Sequence, residues 1–309
     1  MLPSKETEAG LSVAGRVRAV FPPLVTPFRA DGALDLGAFE ANLDLYTPHD
    51  LGGVLVLGSN GEAGSLDEGE KLALVGIARA HTQGRLLLVG TGLESTRGTI
   101  ALTRKVADLG ADAALVLTPH YYKARMTSEA LARHFEAVAD ASPVPILLYS
   151  VPAFTGIVWP AGLAEALSAH PRIVGIKESS GDVGLLARLR AGTPPSFAVV
   201  SGSAPTFYPA LCVGASAGIL AVACCAPGVV AALYRAHEAG DHGRAGDLQR
   251  ALMPLAVAVT AGHGVAGLKA AMDAAGFHGG HVRAPLLPAG EAARREVASA
   301  LDNLRATVA

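Results

Sequence analysis

Lys177 is the residue whose type and place in this sequence best suit catalysis. It comes directly after the apolar run at 173–176, which is typical of a buried strand. An ammonium among apolar side chains is disfavoured as a charge, so the free amine becomes available to attack a carbonyl carbon and form a Schiff base. The structural alternative is a lysine paired with Glu178 or with another carboxylate.

Tyr149 closes the preceding apolar run at 146–149. Forming and breaking an imine requires a group that moves protons, and a hydrogen-bonded phenol can do so. In a barrel the ends of neighbouring strands lie side by side, which places Tyr149 within reach of an adduct on Lys177. Packing of the aromatic ring at the barrel rim is the alternative.

Two further segments offer groups for binding or proton transfer. The Gly-bracketed segment at 58–61 presents backbone amides and the Ser59 hydroxyl, which suit a carboxylate, although such a cluster is also typical of an ordinary turn. Tyr121 and Tyr122 follow the fourth apolar run, where one of them could line the pocket, and the alternative is an exposed aromatic or an interface aromatic. A phosphate-binding loop is disfavoured because the Gly-Lys-Ser/Thr pattern is absent.

Alternating apolar runs and amphipathic segments predict the elements that position these residues. The eight predicted strands are 17–25, 53–57, 86–89, 113–117, 146–149, 173–176, 198–200 and 217–220. Their even spacing and nearly continuous apolar character favour a (β/α)₈ TIM barrel over a doubly wound sheet, which would carry G-x-G-x-x-G after its first strand. The helices predicted before the last strand are 66–81, 97–109, 128–141, 160–170 and 183–191, and Ser95, Thr127 and Asp182 are predicted N-caps. The helix of 66–81 is expected to begin at a capping box of Ser65 and Glu68.

We predict three regions: an N-terminal extension at 1–15, the barrel at 16–240 and a C-terminal helical region at 241–309. Half of the 309 residues are hydrophobic and 17% are charged, which indicates a globular chain with a large core. The net charge of −2 and the lack of a basic run disfavour nucleic acid and membrane surfaces as partners.

Three cysteines and no apparent leader or membrane span predict a cytoplasmic protein. His278 and His281 have no third ligand nearby in the sequence, and strand ends lack the His and acidic residues that a metal-dependent aldolase needs. We therefore expect neither a metal nor an organic cofactor.

Five short motifs, in order and in register, carry a family resemblance. They read Thr26-Pro27-Phe28, Gly58-Ser59-Asn60-Gly61-Glu62, Tyr149-Ser150-Val151-Pro152, Gly175-Ile176-Lys177-Glu178-Ser179 and Arg283-Ala284-Pro285-Leu286. Over residues 16–287 the chain resembles the dihydrodipicolinate synthase and N-acetylneuraminate lyase family of class I pyruvate aldolases. The resemblance implies a barrel with a C-terminal helical appendage, assembled as a homotetramer or homodimer, and a 2-oxo acid such as pyruvate as substrate.

The resemblance also implies roles for individual residues. Lys177 forms the imine, Tyr149 shuttles the proton, and Ser59 relays protons between Tyr149 and Tyr121, which is donated across a dimer interface. The implied substrate-binding residues are Gly58, Ser59, Asn60, Phe154, Ser179 and Ile219.

Departures from the family pattern guide the substrate prediction. Dihydrodipicolinate synthases carry asparagine at the position of Ser150 and, at the position of Phe154, an arginine that binds the carboxylate of aspartate semialdehyde. The motifs look most like the 4-hydroxy-2-oxoglutarate aldolase branch, so we predict a pyruvate-releasing lyase acting on a 4-hydroxy-2-oxo acid. The alternatives are dihydrodipicolinate synthase (4-hydroxy-tetrahydrodipicolinate synthase), a sugar-acid aldolase or dehydratase, and a catalytically silent barrel that binds a 2-oxo acid.

Overall fold

Eight short parallel strands, each built from buried apolar residues, form the centre of the fold. The computed structural model describes residues 12–82 and 84–308. The strands are β1 Val20–Phe21, β2 Gly53–Val56, β3 Leu86–Gly90, β4 Ala113–Leu117, β5 Ile146–Ser150, β6 Ile173–Glu178, β7 Ala198–Ser201 and β8 Ala217–Ile219. Their order, β1-β8-β7-β6-β5-β4-β3-β2, with helices between them, is that of a (β/α)₈ barrel. The predicted fold class is confirmed.

The helices alternate with the strands and then continue as a C-terminal group. Those before the last strand are α1 Val13–Arg16, α2 Leu36–Tyr46, α3 Glu68–His81, α4 Thr96–Asp108, α5 Ser128–Ala141, α6 Pro152–Thr155, α7 Leu163–Leu167, α8 Val183–Gly192 and α9 Phe207–Cys212. After it come α10 Pro227–Glu238, α11 His242–Val257, α12 Gly264–Ala275 and α13 Glu291–Val308, with a π-helical turn at Ala258–Gly262. Most of the predicted N-terminal extension, residues 1–11, lies outside the described residues, and the predicted region boundaries stay predictions.

Several strands and helices begin or end at other residues than predicted, because of the residues next to them. Strand β1 is much shorter than predicted, because Pro22 and Pro23 have no N–H to donate to a strand ladder. Helix α3 begins later than predicted. Its capping box consists of Asp67 and Glu70, so the prediction of Ser65 and Glu68 is wrong.

The contacts between residues divide the protein into two compact units. The first holds residues 86–218 with the segment that ends at Ala19, and the second holds 20–85 and 219–309. In the first unit, the outer faces of the strands pack against helices in a core that includes Phe135, Leu148, Trp159 and Ile176. Burying such large apolar side chains contributes about 1.5–3 kcal/mol each, which holds the strand ends in fixed positions.

The second unit is tied together by polar contacts as well as apolar packing. The Tyr46 hydroxyl donates to the Cys224 carbonyl at 2.8 Å, and Asn42 hydrogen-bonds to the backbone of His278. In the part of the chain that the structure describes, no helix is both long enough and apolar enough to cross a membrane.

Candidate active site

Lys177 and Tyr149 meet at the carboxyl ends of two neighbouring strands. They are register partners in β6 and β5, and the lysine Nζ lies 4.1 Å from the centroid of the tyrosine ring. Both side chains are 5% exposed. The strand β6 extends through Glu178, so Lys177 lies inside the strand rather than after it. An amine held this close to a phenol ring is placed for imine chemistry with a proton-transfer group beside it.

Glu178 does not neutralise Lys177. Alternation along the strand directs the two side chains to opposite faces, and the Glu178 carboxylate instead accepts hydrogen bonds from Ser180 N, Ser180 Oγ and Ser150 Oγ. Burial raises the pKa of Glu178, and the hydrogen bonds from Ser180 and Ser150 oppose that rise. No carboxylate of residues 12–82 and 84–308 forms an ion pair with Lys177, which disfavours the structural alternative for this lysine.

Ser179 and Gly202 complete the surroundings of the lysine. A β-carbon placed on Gly202 would lie 1.8 Å from Ser179 Oγ and 3.1 Å from Lys177 Cε, so only glycine leaves room for both side chains. The Ser179 hydroxyl is buried, and it has no hydrogen-bond partner among the described residues. A buried hydroxyl without a partner costs about 1–3 kcal/mol, which a bound polar ligand would offset.

The other predicted site residues of this unit lie nearer the surface. Tyr121 is 75% exposed and touches Tyr122 edge-to-face, with ring centroids 5.0 Å apart. Glu94 accepts hydrogen bonds from the backbone amides of His120 and Tyr121, which fixes the segment after β4. Phe154, in α6, is 63% exposed.

The Gly58–Gly61 segment belongs to the second unit and forms a short 3₁₀ turn, Ser59–Gly61, directly after β2. Leu57 precedes it with φ of +59°, a left-handed conformation that costs a side-chain-bearing residue of order 1–3 kcal/mol. Ser59 and Asn60 are half-buried. The Thr26 hydroxyl donates to the Gly61 carbonyl at 2.6 Å, so the first motif of the sequence anchors this turn.

The turn is also held by a buried ion pair that sequence reasoning missed. Glu62 follows the turn and lies 2.6 Å from the ammonium of Lys269, and both side chains are almost fully buried. The Arg283 amide donates to Glu62, and the Arg283 guanidinium pairs bidentately with Glu70. A lone lysine in the apolar run of α12 is the sequence signal from which a buried partner could have been predicted. Ile219, the last predicted site residue, is buried at the end of β8.

His278 and His281, which the sequence offered as a metal pair, form hydrogen bonds through their backbone atoms. His278 exchanges hydrogen bonds with Asn42, and the His281 amide donates to the Phe28 carbonyl. Within the described ranges, no three His, Cys, Asp or Glu residues cluster as metal ligands would.

Comparison with known proteins places this arrangement in a family. Residues 16–304 match the model of the dihydrodipicolinate synthetase family. The 4-hydroxy-tetrahydrodipicolinate synthase of Exiguobacterium sp. is 35% identical over 280 residues, which are 90% of this chain and 95% of the relative. The synthase of the same name from Stenotrophomonas maltophilia is 45% identical over 194 residues, 62% of this chain and 63% of the relative.

A solved structure shows the same fold. Dihydrodipicolinate synthase from Acinetobacter baumannii, complexed with pyruvate, aligns with a TM-score of 0.89 at 30% identity, covering 94% of this chain and 99% of that one.

The predicted 4-hydroxy-2-oxoglutarate aldolase activity is wrong, because these curated relatives are 4-hydroxy-tetrahydrodipicolinate synthases. Two local residues misled the prediction. Ser150 is buried and its hydroxyl donates to Glu178, so a serine at this position indicates a contact between strands rather than a particular substrate. Phe154 is largely exposed.

Proposed function

Because this chain belongs to the dihydrodipicolinate synthetase family, whose members are class I aldolase-type lyases, we propose that it condenses pyruvate with aspartate semialdehyde. This is the activity that the name of the curated relatives implies, and the observation that carries it is the buried Lys177–Tyr149 pair on adjacent strand ends. Enzymes of the family work through a lysine imine and need no separate cofactor.

In the proposed reaction, the Lys177 amine attacks the keto carbon of pyruvate and water leaves as the imine forms. The protonated imine nitrogen withdraws electrons, so a proton leaves the methyl carbon and an enamine results. That carbon attacks the aldehyde carbon of aspartate semialdehyde, and the aldehyde oxygen takes up a proton. The amino group of the condensed aspartate semialdehyde then attacks the imine carbon and displaces the Lys177 amine, which closes the ring of the product and returns free Lys177. Tyr149 lies beside the lysine and is the proposed carrier of these protons.

Binding roles are proposed for the remaining residues. On the family resemblance, Ser59 and Asn60, in the turn after β2, are proposed to hold the pyruvate carboxylate, with Gly58 preceding them. Ser179, whose buried hydroxyl lacks a partner among the described residues, is proposed to donate to the substrate. Ile219 is proposed to provide an apolar wall.

The proposed assembly is a homotetramer or a homodimer in the cytoplasm. The exposure of Tyr121 and Tyr122 supports an interface at the segment after β4, where Tyr121 would reach a partner's site. The free cysteines Cys212, Cys224 and Cys225 support a reducing compartment. Sedimentation of the purified protein tests the assembly, and a monomer would exclude it.

The experiment for the activity combines trapping with turnover. The protein is incubated with pyruvate, reduced with borohydride and examined by intact-mass spectrometry and peptide mapping, while condensation with aspartate semialdehyde is followed separately. We expect a reduced pyruvyl adduct on Lys177, none in Lys177→Arg, and normal trapping in Lys105→Arg, a change on the outer helix α4.

The outcomes separate the two parts of the proposal. An adduct without condensation of aspartate semialdehyde would leave the imine chemistry and remove the proposed second substrate. No adduct in a folded protein would refute the imine mechanism and favour a silent barrel that binds a 2-oxo acid.

A further inference from the structure

Aspartate semialdehyde carries a carboxylate, and a carboxylate that leaves water needs a charged or strongly hydrogen-bonding partner. Cationic groups at the carboxyl ends of β4 and β6 in the first unit are the candidates for that partner. Lys177 is the proposed nucleophile, and His120 lies 2.9 Å from the Glu94 carboxylate, which occupies it. Phe154 brings no charge. The segment after β4 supplies two further cations, Lys123 and Arg125, and Lys123 is the one that contacts the segment after β5.

Lys123 begins the 3₁₀ turn Lys123–Arg125 and reaches over the segment that follows β5. Its Nζ and Cδ each lie 3.6 Å from the position that a β-carbon on Gly156 would occupy. Gly156 ends α6 in a left-handed conformation, with φ of +65°, and α6 begins two residues after Ser150, the last residue of β5. Since Leu117 of β4 is the register partner of Tyr149 of β5, the two segments leave adjacent strand ends.

The Lys123 ammonium is available for a ligand. It is exposed, and no carboxylate in the described part of the chain pairs with it. Glu94, a carboxylate that contacts this segment, is engaged by His120 and by two backbone amides. The lysine stem lies at van der Waals distance from Gly156, whose positive φ favours glycine at this position. A flexible ammonium with three donors suits a carboxylate approaching from solvent.

We propose that Lys123 binds the carboxylate of the aldehyde substrate and thereby selects aldehydes that carry one. This inference rests on the proposed function, since it names the group that recognises the second substrate. Lys123 takes no part in imine formation, so its contribution is confined to the step after pyruvate has bound.

The test uses the full-length enzyme and three variants. Lys123→Met removes the charge and keeps the apolar stem, Lys123→Arg keeps the charge, and Arg125→Met removes a charge from the same turn as the matched control. For each, kcat and KM are measured for pyruvate and for aspartate semialdehyde, together with borohydride trapping of pyruvate.

We expect Lys123→Met to raise the KM for aspartate semialdehyde about tenfold, the usual scale for losing a charged hydrogen bond to a ligand. The KM for pyruvate and the trapping of pyruvate should stay at the value of the unchanged enzyme. Lys123→Arg should retain most of the affinity for the aldehyde, and Arg125→Met should change its KM by less than about twofold.

Other outcomes overturn the assignment in distinguishable ways. An unchanged KM for the aldehyde in Lys123→Met, or an equal rise in Arg125→Met, would refute a specific contact of Lys123. A matching loss of pyruvate trapping in Lys123→Met would show a structural role. No condensation by the unchanged enzyme would remove the proposed second substrate, and the assignment with it.

Discussion

Replacing Lys269 by methionine should destabilise the protein far more than the loss of an exposed lysine would. Its ammonium lies 2.6 Å from the Glu62 carboxylate, donates to the Thr26 and His281 carbonyls, and is 4.7 Å from the centre of the Phe28 ring. Burial lowers the pKa of Lys269, and the contact with Glu62 opposes that shift. The side chains of the pair are 2% and 1% exposed, so solvent cannot replace a missing partner.

The expected loss of stability in Lys269→Met comes from the Glu62 carboxylate, which loses its charged partner. With methionine at position 269, the Glu62 carboxylate stays buried, and its remaining donor among the described residues is the Arg283 amide, 2.9 Å away. Breaking a buried pair on one side typically costs about 3–5 kcal/mol. We expect that loss in the free energy of unfolding, measured by urea titration with far-ultraviolet circular dichroism. The double variant Glu62→Gln/Lys269→Met removes both charges and should cost at least about 1 kcal/mol less than the sum of the single variants.

The matched control is the exposed pair of Arg133 and Glu129, which lie 2.7 Å apart on α5 with both side chains more than 70% exposed. Arg133→Met should cost no more than about 0.5 kcal/mol, since exposed ion pairs are screened by water. If Lys269→Met cost as little as Arg133→Met, or if the double variant were additive, the argument from the buried pair would be refuted.

Two further predictions concern the first unit. Burial lowers the pKa of His134 from 6.5 to about 4, so below pH 6.5 the unfolded chain binds a proton that the folded protein does not. The free energy of unfolding therefore keeps the full contribution of neutral His134 above pH 6.5 and loses it as the pH falls, by about 2 kcal/mol at about pH 5. Urea titrations at several pH values should show that His134→Gln lacks this loss of stability at low pH. An equal loss in both proteins would contradict the prediction. Gly202→Ala would push a methyl group into Ser179 and Lys177 and should slow pyruvate trapping roughly tenfold or more. Gly76→Ala, in open space on α3, should leave trapping unchanged and should stabilise the helix by up to about 1 kcal/mol, whereas equal effects of the two substitutions would refute the steric argument.

Local patterns predicted much of the fold because burial and capping are encoded over short stretches. The N-caps Ser95, Thr127 and Asp182 each accept the predicted hydrogen bond from a backbone amide of the following helix. The hydrophobic patterns gave wrong helix bounds where a glycine or a turn interrupted the helix. The helix predicted at 160–170 is only Leu163–Leu167, because Gly162 adopts a left-handed conformation, with φ of +76°, at its start. Helix α2 was not predicted, and α13 was predicted only as part of the C-terminal helical region at 241–309.

By itself, the sequence determined that Lys177 lies at the end of a buried strand of a barrel, since an apolar run followed by a polar residue specifies burial within a few positions. Only the tertiary structure decided which charges meet. Glu178 bonds to Ser150 and Ser180 rather than to its neighbour Lys177, Glu62 pairs with Lys269, and Lys123 lies against Gly156. The physical reason is that periodicity reports whether a side chain faces the core, whereas ion pairing depends on the approach of segments distant in the chain.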